Sequence, residues 1–213
     1  MPYQKPGFYS DAIAKGRHRD IVGGRWDETG RAQMALLMDA GLRPDHVLLD
    51  IGAGSLRLGC KAVPYLARGN YWATDASLEL MLAGHARELS DADALDTAHL
   101  IHDTAFEFAG VPDLITHAIA FGVFPHLPLT CLAAALANLR RFPALEQVFF
   151  TVFLAPEGEA SFRQKDGVVT HDVKPPYHFR PDQIAAIGAQ TGWGLAAQDR
   201  MLPRGQVLFI ARR

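Results

Sequence analysis

The sequence predicts an α/β chain built on a doubly wound, mostly parallel sheet with one antiparallel C-terminal strand. Three observations predict it. Short β-rich runs alternate with helical runs from Val47 onward, which is the pattern of parallel βαβ units. A glycine-containing turn, Gly52-Ala53-Gly54, stands where the first such strand meets the next element. The last two strands are joined by Arg200 to Gly205, too short a link for a helix, so that final pair must be antiparallel.

The elements follow in order. The first 20 or so residues are polar, dotted with Gly and Pro, and rich in Arg and Lys. Trp26 to Ala40 reads as a helix with Met34, Leu37 and Met38 on one face, stopped by Gly41 and Pro44. Val47 to Ile51 is a buried strand, Leu56 to Leu66 a helix, Tyr71 to Thr74 a second strand, and Ser77 to Leu89 a helix with Leu78, Met81 and Leu82 on one side. A weaker strand is expected near Leu100-Ile101 and a clearer one over Leu114 to Ala120. Leu129 to Arg140 repeats leucine at helical spacing behind Pro128. Val148 to Phe153 is the most strand-like run, and its Phe149, Phe150 and Phe153 read as core. Ala155 to Arg180 shows little periodicity. Pro181 opens a last helix that closes at Gly192, and strands around Gly194 to Ala197 and Val207 to Ala211 finish the chain.

Bulk properties narrow the function. At 213 residues, with 49% hydrophobic and 21% charged residues, the chain suits one soluble domain with a sizeable core. Its net charge of −2 and lack of a basic run argue against nucleic acid as a partner. Two cysteines, Cys60 and Cys131, without ligand spacing imply no metal site; both fall in helical stretches as buried reduced thiols. Met1-Pro2-Tyr3-Gln4-Lys5-Pro6 is not a basic patch followed by an apolar stretch, and no apolar run is long enough for a bilayer, so no membrane partner and a cytoplasmic location are expected.

The glycine turn carries the chemistry. Glycine lets the chain turn sharply and lets backbone approach a ligand, and ligands of open α/β sheets sit outside the carboxyl ends of the strands. A dinucleotide fingerprint needs a third glycine at position 57, which is Arg57, and this argues against a nicotinamide dehydrogenase. Asp50 ends the first strand and Asp75 the second. Two carboxylates would repel a diphosphate but suit a ligand carrying an ammonium, a sulfonium and a ribose. S-adenosyl-L-methionine has all three. The alternatives are a turn or capping role for Asp50 and a helix-capping role for Asp75, with Ala76 and Ser77 behind it.

With those residues in view, 47 to 75 resemble motif I and the acidic loop of class I S-adenosylmethionine-dependent methyltransferases. Leu49-Asp50-Ile51-Gly52-Ala53-Gly54-Ser55-Leu56-Arg57-Leu58-Gly59, with Pro64-Tyr65-Leu66 and Gly69-Asn70-Tyr71, is similar to a bacterial subgroup with unassigned substrates. Its features recur in His18-Arg19-Asp20-Ile21-Val22-Gly23-Gly24-Arg25-Trp26-Asp27, Val123 to Leu129, Pro176-Tyr177-His178 and Pro203-Arg204-Gly205-Gln206. The chain departs from it at Phe142-Pro143-Ala144-Leu145, where a Gly-Gly turn is usual. Gly122-Val123-Phe124-Pro125-His126 also differs, lacking two hydroxyls the subgroup often carries.

The resemblance implies a Rossmann-like fold, with 1–44 as an N-terminal lid and helix on the core and 45–213 as the cofactor-binding domain. It implies cofactor contacts from Asp50, Gly52, Ala53, Gly54, Asp75 and Ala76. Asp103 and Thr104 would lie near the adenine with Phe106 covering the ring, and Ala120 and Phe121 would line the methionine side. The acceptor is expected to be a small molecule methylated on O or N. His126 is the candidate base, and His18, Trp26, Tyr177, His178 and Arg204 are candidate acceptor-side residues. Two readings stay open beside this one: a non-catalytic cofactor-binding protein, and an aminopropyltransferase-like relative, for which no acidic polyamine cluster is visible. Oligomeric state is not legible.

Overall fold

The computed structural model describes residues 7–200 and 202–213. The reading of residues 1–6 as lacking a leader therefore lies outside the described residues. The chain divides into two compact units, one of residues 1–104 with 109–111, the other of 105–108 with 112–213.

The first unit holds helices α1 (Phe8–Ala14), α2 (Trp26–Asp39), α3 (Gly59–Ala62) and α4 (Leu78–Glu88), and strands β1 (Leu48–Ile51), β2 (Tyr71–Asp75) and β3 (Leu100–His102). The strands are parallel in the order β3-β2-β1, with Asp50 opposite Ala73 and Thr74 opposite Ile101. All four residues of β1 are buried, as a strand covered on both faces requires, so its carboxylate Asp50 is buried too. The glycine loop is fastened to the neighbouring strand: the N–H groups of Gly52 and Ala53 both donate to the carbonyl of Thr74, at 2.7 and 3.1 Å.

Three expectations are corrected here. Residues 56 to 66 are not one helix; only Gly59–Ala62 is α-helical. Leu56 takes φ 61°, outside the helical region, and Pro64 lacks the N–H that would continue the ladder. The polar N-terminal stretch contains helix α1. The buried faces also differ. Helix α2 buries the expected Met34 and Leu37, with Thr29, Gly30, Gln33 and Leu36, while Met38 is exposed; α4 buries the expected Met81, with Leu80 and Gly84, while Leu78 and Leu82 stay accessible. Gly84 explains the second shift: a Cβ there would lie 2.2 Å from the carbonyl oxygen of Ser55, so only glycine lets α4 approach the glycine loop this closely.

The second unit holds β4 (His117–Ala120), α5 (Leu129–Leu139), β5 (Gln147–Leu154), β6 (Ser161–Arg163), β7 (Val169–His171), β8 (His178–Phe179), α6 (Pro181–Thr191), β9 (Gly194–Gln198) and β10 (Val207–Arg212). Strands β4, β8 and β5 are parallel, and β10 runs antiparallel between β5 and β9. The antiparallel pair β9–β10 is the one inferred from the short final connection. Phe149, Phe150 and Phe153 are buried, and Phe150 stacks on Phe209 at 5.4 Å.

Strand β4 begins at His117 rather than at Leu114, which is 69% exposed. The expected aperiodic segment 155 to 180 contains the hairpin β6–β7 and the short β8. Its strands are too brief, and too polar on one side, for periodicity to reveal. Cys60 and Cys131 are free thiols in helices, half-buried rather than buried. No helix among the described residues is long and apolar enough to cross a membrane.

Candidate functional site

In the first unit the site begins where β1 gives way to the loop Gly52-Ala53-Gly54. Gly52 has φ 69° and Gly54 φ 57°, left-handed values that L-residues adopt only at a cost. The bend brings the Gly54 N–H to 2.8 Å from Oδ2 of Asp75, while Oδ1 of Asp75 accepts from the Ser77 N–H, also at 2.8 Å. Asp75 thus closes β2, joins it to the loop of β1 and steadies the entry to α4. Ser77 caps that helix, its Oγ accepting from the Leu80 N–H. The Asp75 carboxylate reaches solvent on one side, yet the protein around it pushes its pKa up; the Gly54 and Ser77 N–H groups pull it back in part. Each oxygen has a second acceptor position beyond the backbone N–H it already holds. Asp103 follows β3, its N–H donating to the Asp75 carbonyl at 3.0 Å; Thr104 beside it and Ala76 are exposed.

Asp50 lies deeper. Its Oδ2 accepts from the Tyr71 hydroxyl at 2.7 Å. Burial lifts its pKa to about 7, against the lowering effects of that hydrogen bond and of the Arg57 charge. Tyr71 is pushed well above its ordinary value, first by burial and then by Asp50. Gly59 makes room for the pair, since a Cβ there would be 2.9 Å from the Tyr71 hydroxyl. Tyr71 enters the sequence reading only within Gly69-Asn70-Tyr71 and as the start of a strand; its bond to Asp50 is what that reading missed.

The N-terminal residues His18 and Trp26 are engaged by Glu88 and Arg19 within the first unit. His18 Nε2 lies 2.6 Å from Glu88 Oε1, and the Arg19 guanidinium forks onto both Glu88 oxygens at 2.8 and 2.6 Å. Trp26 lies beneath the Arg19 guanidinium, 5.2 Å from the ring centroid. Glu88 went unseen in the sequence, although a carboxylate at the C-terminal end of a helix, against the dipole, is a signal that a cation must compensate.

The second unit gathers other candidates around the end of β4. Ala120 and Phe121 are buried, and the Gly122 N–H after them donates to Thr151 Oγ1 at 2.8 Å. Thr151 Oγ1 in turn donates to Gln206 Oε1 at 2.6 Å, tying β4's loop to the turn that carries Arg204. Arg204 has φ 67° and an exposed side chain. His126 ends the single helical turn Phe124–His126. Its ring touches solvent, but the protein walls around it lower its pKa, and the Arg204 charge lowers it further. The Tyr177 N–H donates to the Pro125 carbonyl at 2.7 Å, which brings the late loop to the same place. Phe106 belongs to this unit and lies against Phe124 at 5.8 Å.

His178 does not join the group. It is 4% exposed, with Nδ1 2.9 Å from Thr170 Oγ1 and Nε2 2.9 Å from the Glu159 carbonyl, so both ring nitrogens are engaged inside the loop. Thr151, not singled out from sequence, and Gln206, noted there only within Pro203-Arg204-Gly205-Gln206, are the residues that hold the two loops together.

No family model matches the sequence. Solved structures are similar over most of its length. One is magnesium protoporphyrin IX methyltransferase (ChlM) from Synechocystis PCC 6803 with bound SAH, with TM-score 0.61 and 16% identity over 88% of this chain and 83% of that one. A second is the DhpI–SAH complex, with TM-score 0.59 and 16% identity over 98% of each chain. A third is the glycopeptide N-methyltransferase MtfA, with TM-score 0.58 and 15% identity over 86% of this chain and 89% of that one. At such identities the likeness is one of fold. The chain has the fold of the class I S-adenosylmethionine-dependent methyltransferases.

Proposed function

We propose that the chain is an S-adenosyl-L-methionine-dependent methyltransferase acting on an oxygen or nitrogen of a small-molecule acceptor. The observation that carries the reading is the Asp75 carboxylate at the end of β2, bonded to the Gly54 N–H of a left-handed glycine loop. The donor set fits the cofactor. Asp75 has acceptor capacity left for two ribose hydroxyls, and the loop offers close backbone approach. Asp50, partly protonated near neutral pH, becomes fully ionised beside an ammonium. The presence of SAH in ChlM and DhpI structures of the same fold supports this choice.

When bound, the cofactor supplies an electrophilic methyl group on a positively charged sulfur. The chain's own task is then to position an acceptor in line with it and to exclude water. Ala120 and Phe121 provide the apolar wall at the end of β4. His126, its pKa lowered, is neutral at physiological pH and can accept a proton from a hydroxyl or amine acceptor. Arg204 offers a cation that would orient an acceptor with an anionic group, and Tyr177 borders the same loop.

The test is transfer of label from methyl-labelled S-adenosylmethionine into a metabolite extract. Label in the small-molecule fraction is expected. Label confined to protein or nucleic acid contradicts the acceptor class. Binding of S-adenosylhomocysteine (SAH) without any transfer turns the reading into that of a non-catalytic binder.

A further inference from the structure

Strand β5 is apolar along most of its length, yet its fifth residue is Thr151, which has no exposed surface. Valine would fill the same space without a polar group, so the hydroxyl needs partners to stay there. It has two. Thr151 Oγ1 accepts from the Gly122 N–H at 2.8 Å and lies 2.6 Å from Gln206 Oε1. A backbone N–H can only donate, and Thr151 has no third partner among the described residues. Its own hydrogen must therefore go to Gln206, which makes the nearer atom of that amide the oxygen. The Gln206 side chain is thereby held with its NH2 group turned away from Thr151.

Nothing in the protein takes up that NH2. Among the described residues, the bond to Oε1 is the one hydrogen bond that the Gln206 side chain makes. No buried side-chain nitrogen or oxygen among them lacks a partner, so Nε2 reaches solvent, and Gln206 is half-buried. Two N–H donors thus look outward from a side chain whose oxygen is held inside the sheet.

The place is the one a ligand would use. Gln206 stands directly before β10, which runs antiparallel to β5 with Val207 opposite Val152. Gly122 follows β4, which is parallel to β5. The amide therefore lies at the carboxyl end of β4, where open α/β sheets take their ligands. The turn Phe124–His126, which carries the proposed base, packs on β5 with Phe124 edge-on to Phe150 at 6.1 Å. Charges of both signs flank Gln206: Arg204 is two residues before it, and Asp166 Oδ1 would lie 3.7 Å from a Cβ on Gly205. The turn is thus no simple anion trap, and the chemistry of the amide decides. Two donors and no acceptor match a carbonyl or carboxylate oxygen, which offers lone pairs and has no hydrogen to place.

We infer that Gln206 binds the methyl acceptor by a carbonyl or carboxylate oxygen beside its reacting hydroxyl or amine, and that Thr151 is the positioning residue that turns the amide to do so. The inference rests on the methyl-transfer reading above and narrows it, from any small hydroxyl or amine compound to one that also bears such an oxygen.

The deciding variant is Gln206→Glu, which keeps the oxygen that takes the Thr151 hydrogen and replaces the NH2 by a second oxygen. The acceptor is first identified by mass spectrometry of the labelled methyl product from a metabolite extract. A product with a carbonyl or carboxyl group is expected; one with neither overturns the inference. With that acceptor, Gln206→Glu should raise KM by about tenfold or more, the loss of one hydrogen bond left unpaired, with kcat changed much less. Kinetics are compared at pH 8, where His126 is neutral beside the new carboxylate. Unchanged KM in the folded variant assigns Gln206 to structure alone. A second arm needs no turnover: the Gln206 side-chain NH2 signals are followed by 15N NMR during titration with acetamide, acetate or ethanol. Acetamide or acetate should shift them saturably and ethanol should not, and the stronger of the first two tells a neutral carbonyl from a carboxylate. Signals indifferent to both overturn the inference. Thr151→Val should abolish the response and Thr151→Ser restore it, while Gln206→Glu carries the test if Thr151→Val fails to fold. A protein that binds SAH but transfers no methyl group removes the methyl-transfer reading, and the NMR titration still decides what the amide binds.

Discussion

Oδ2 of Asp75 sits 2.8 Å from the amide nitrogen of Gly54, so the residue closing the second strand holds the turn that follows the first. Its other oxygen holds the Ser77 N–H. A carboxylate can accept at both positions; an amide cannot, because one of its two groups is a donor. Asp75→Asn therefore breaks one of the two bonds and turns an N–H against an N–H. We expect a loss of about 1–3 kcal/mol in stability, typical of an unsatisfied partner. SAH affinity should fall by at least about tenfold, the factor that 1.4 kcal/mol represents. Thermal melts and calorimetric titration check the two, and an Asp75→Asn protein with wild-type affinity removes the ribose role.

Asp50 predicts a pH dependence. Its pKa in the folded protein is raised from 3.8 to about 7. Between those values the native state holds a proton that the unfolded chain has released, so stability falls as pH rises through this window and levels off above it. Asp50→Asn keeps an acceptor for the Tyr71 hydroxyl and removes the buried charge. The variant should be more stable than wild type at pH 8, by on the order of a few kcal/mol at most, and no more stable at pH 4. It should also bind SAH more weakly. Melting temperatures measured across pH 4 to 8 decide this; a difference independent of pH contradicts the buried charge.

Gly54 and Val22 form a coupled pair. Gly54→Ala adds a left-handed L-residue, costing about 1–2 kcal/mol, and a Cβ that meets Val22 Cγ1. Val22→Ala removes Cγ1 and leaves the new Cβ at an ordinary 3.4 Å from Val22's own Cβ. The double variant should recover part of the SAH affinity lost in Gly54→Ala. Additive losses in the cycle show that the two residues do not touch.

For His126, the lowered pKa places the fall of the acid limb of a kcat/KM profile below pH 6.5, the ordinary histidine value. His126→Gln should cost about 10²–10⁴ in kcat with little change in SAH affinity, if the acceptor must give up a proton. Arg204→Ala removes a nearby positive charge and should move that limb upward. A profile flat through this range assigns His126 to structure.

Much of the fold was legible because hydrophobic runs and short connections leave few choices. Val47 to Ile51 had to be a buried strand, and the short Arg200-to-Gly205 link between the last two strands could not hold an α-helix. The cofactor loop was legible for the same local reason, with glycines and carboxylates adjacent in sequence to the strand ends they occupy. What escaped depends on partners far along the chain. Leu56 leaves the helical region although leucine favours it, and Gly84 looked like a weak helix position until Ser55 was seen against it. His18 and Trp26 were recognisable as special but not as partners of Glu88 and Arg19, about 70 residues apart in the first case. His178 likewise carried a reactive side chain, which the loop uses internally.

Calorimetric titration of the wild-type chain with SAH tests the central claim most directly. The account predicts one saturable site, with SAH raising the melting temperature and both effects lost or strongly reduced in Asp75→Ala. No heat and no rise in melting temperature at millimolar SAH, in a protein that is folded by circular dichroism, contradict it.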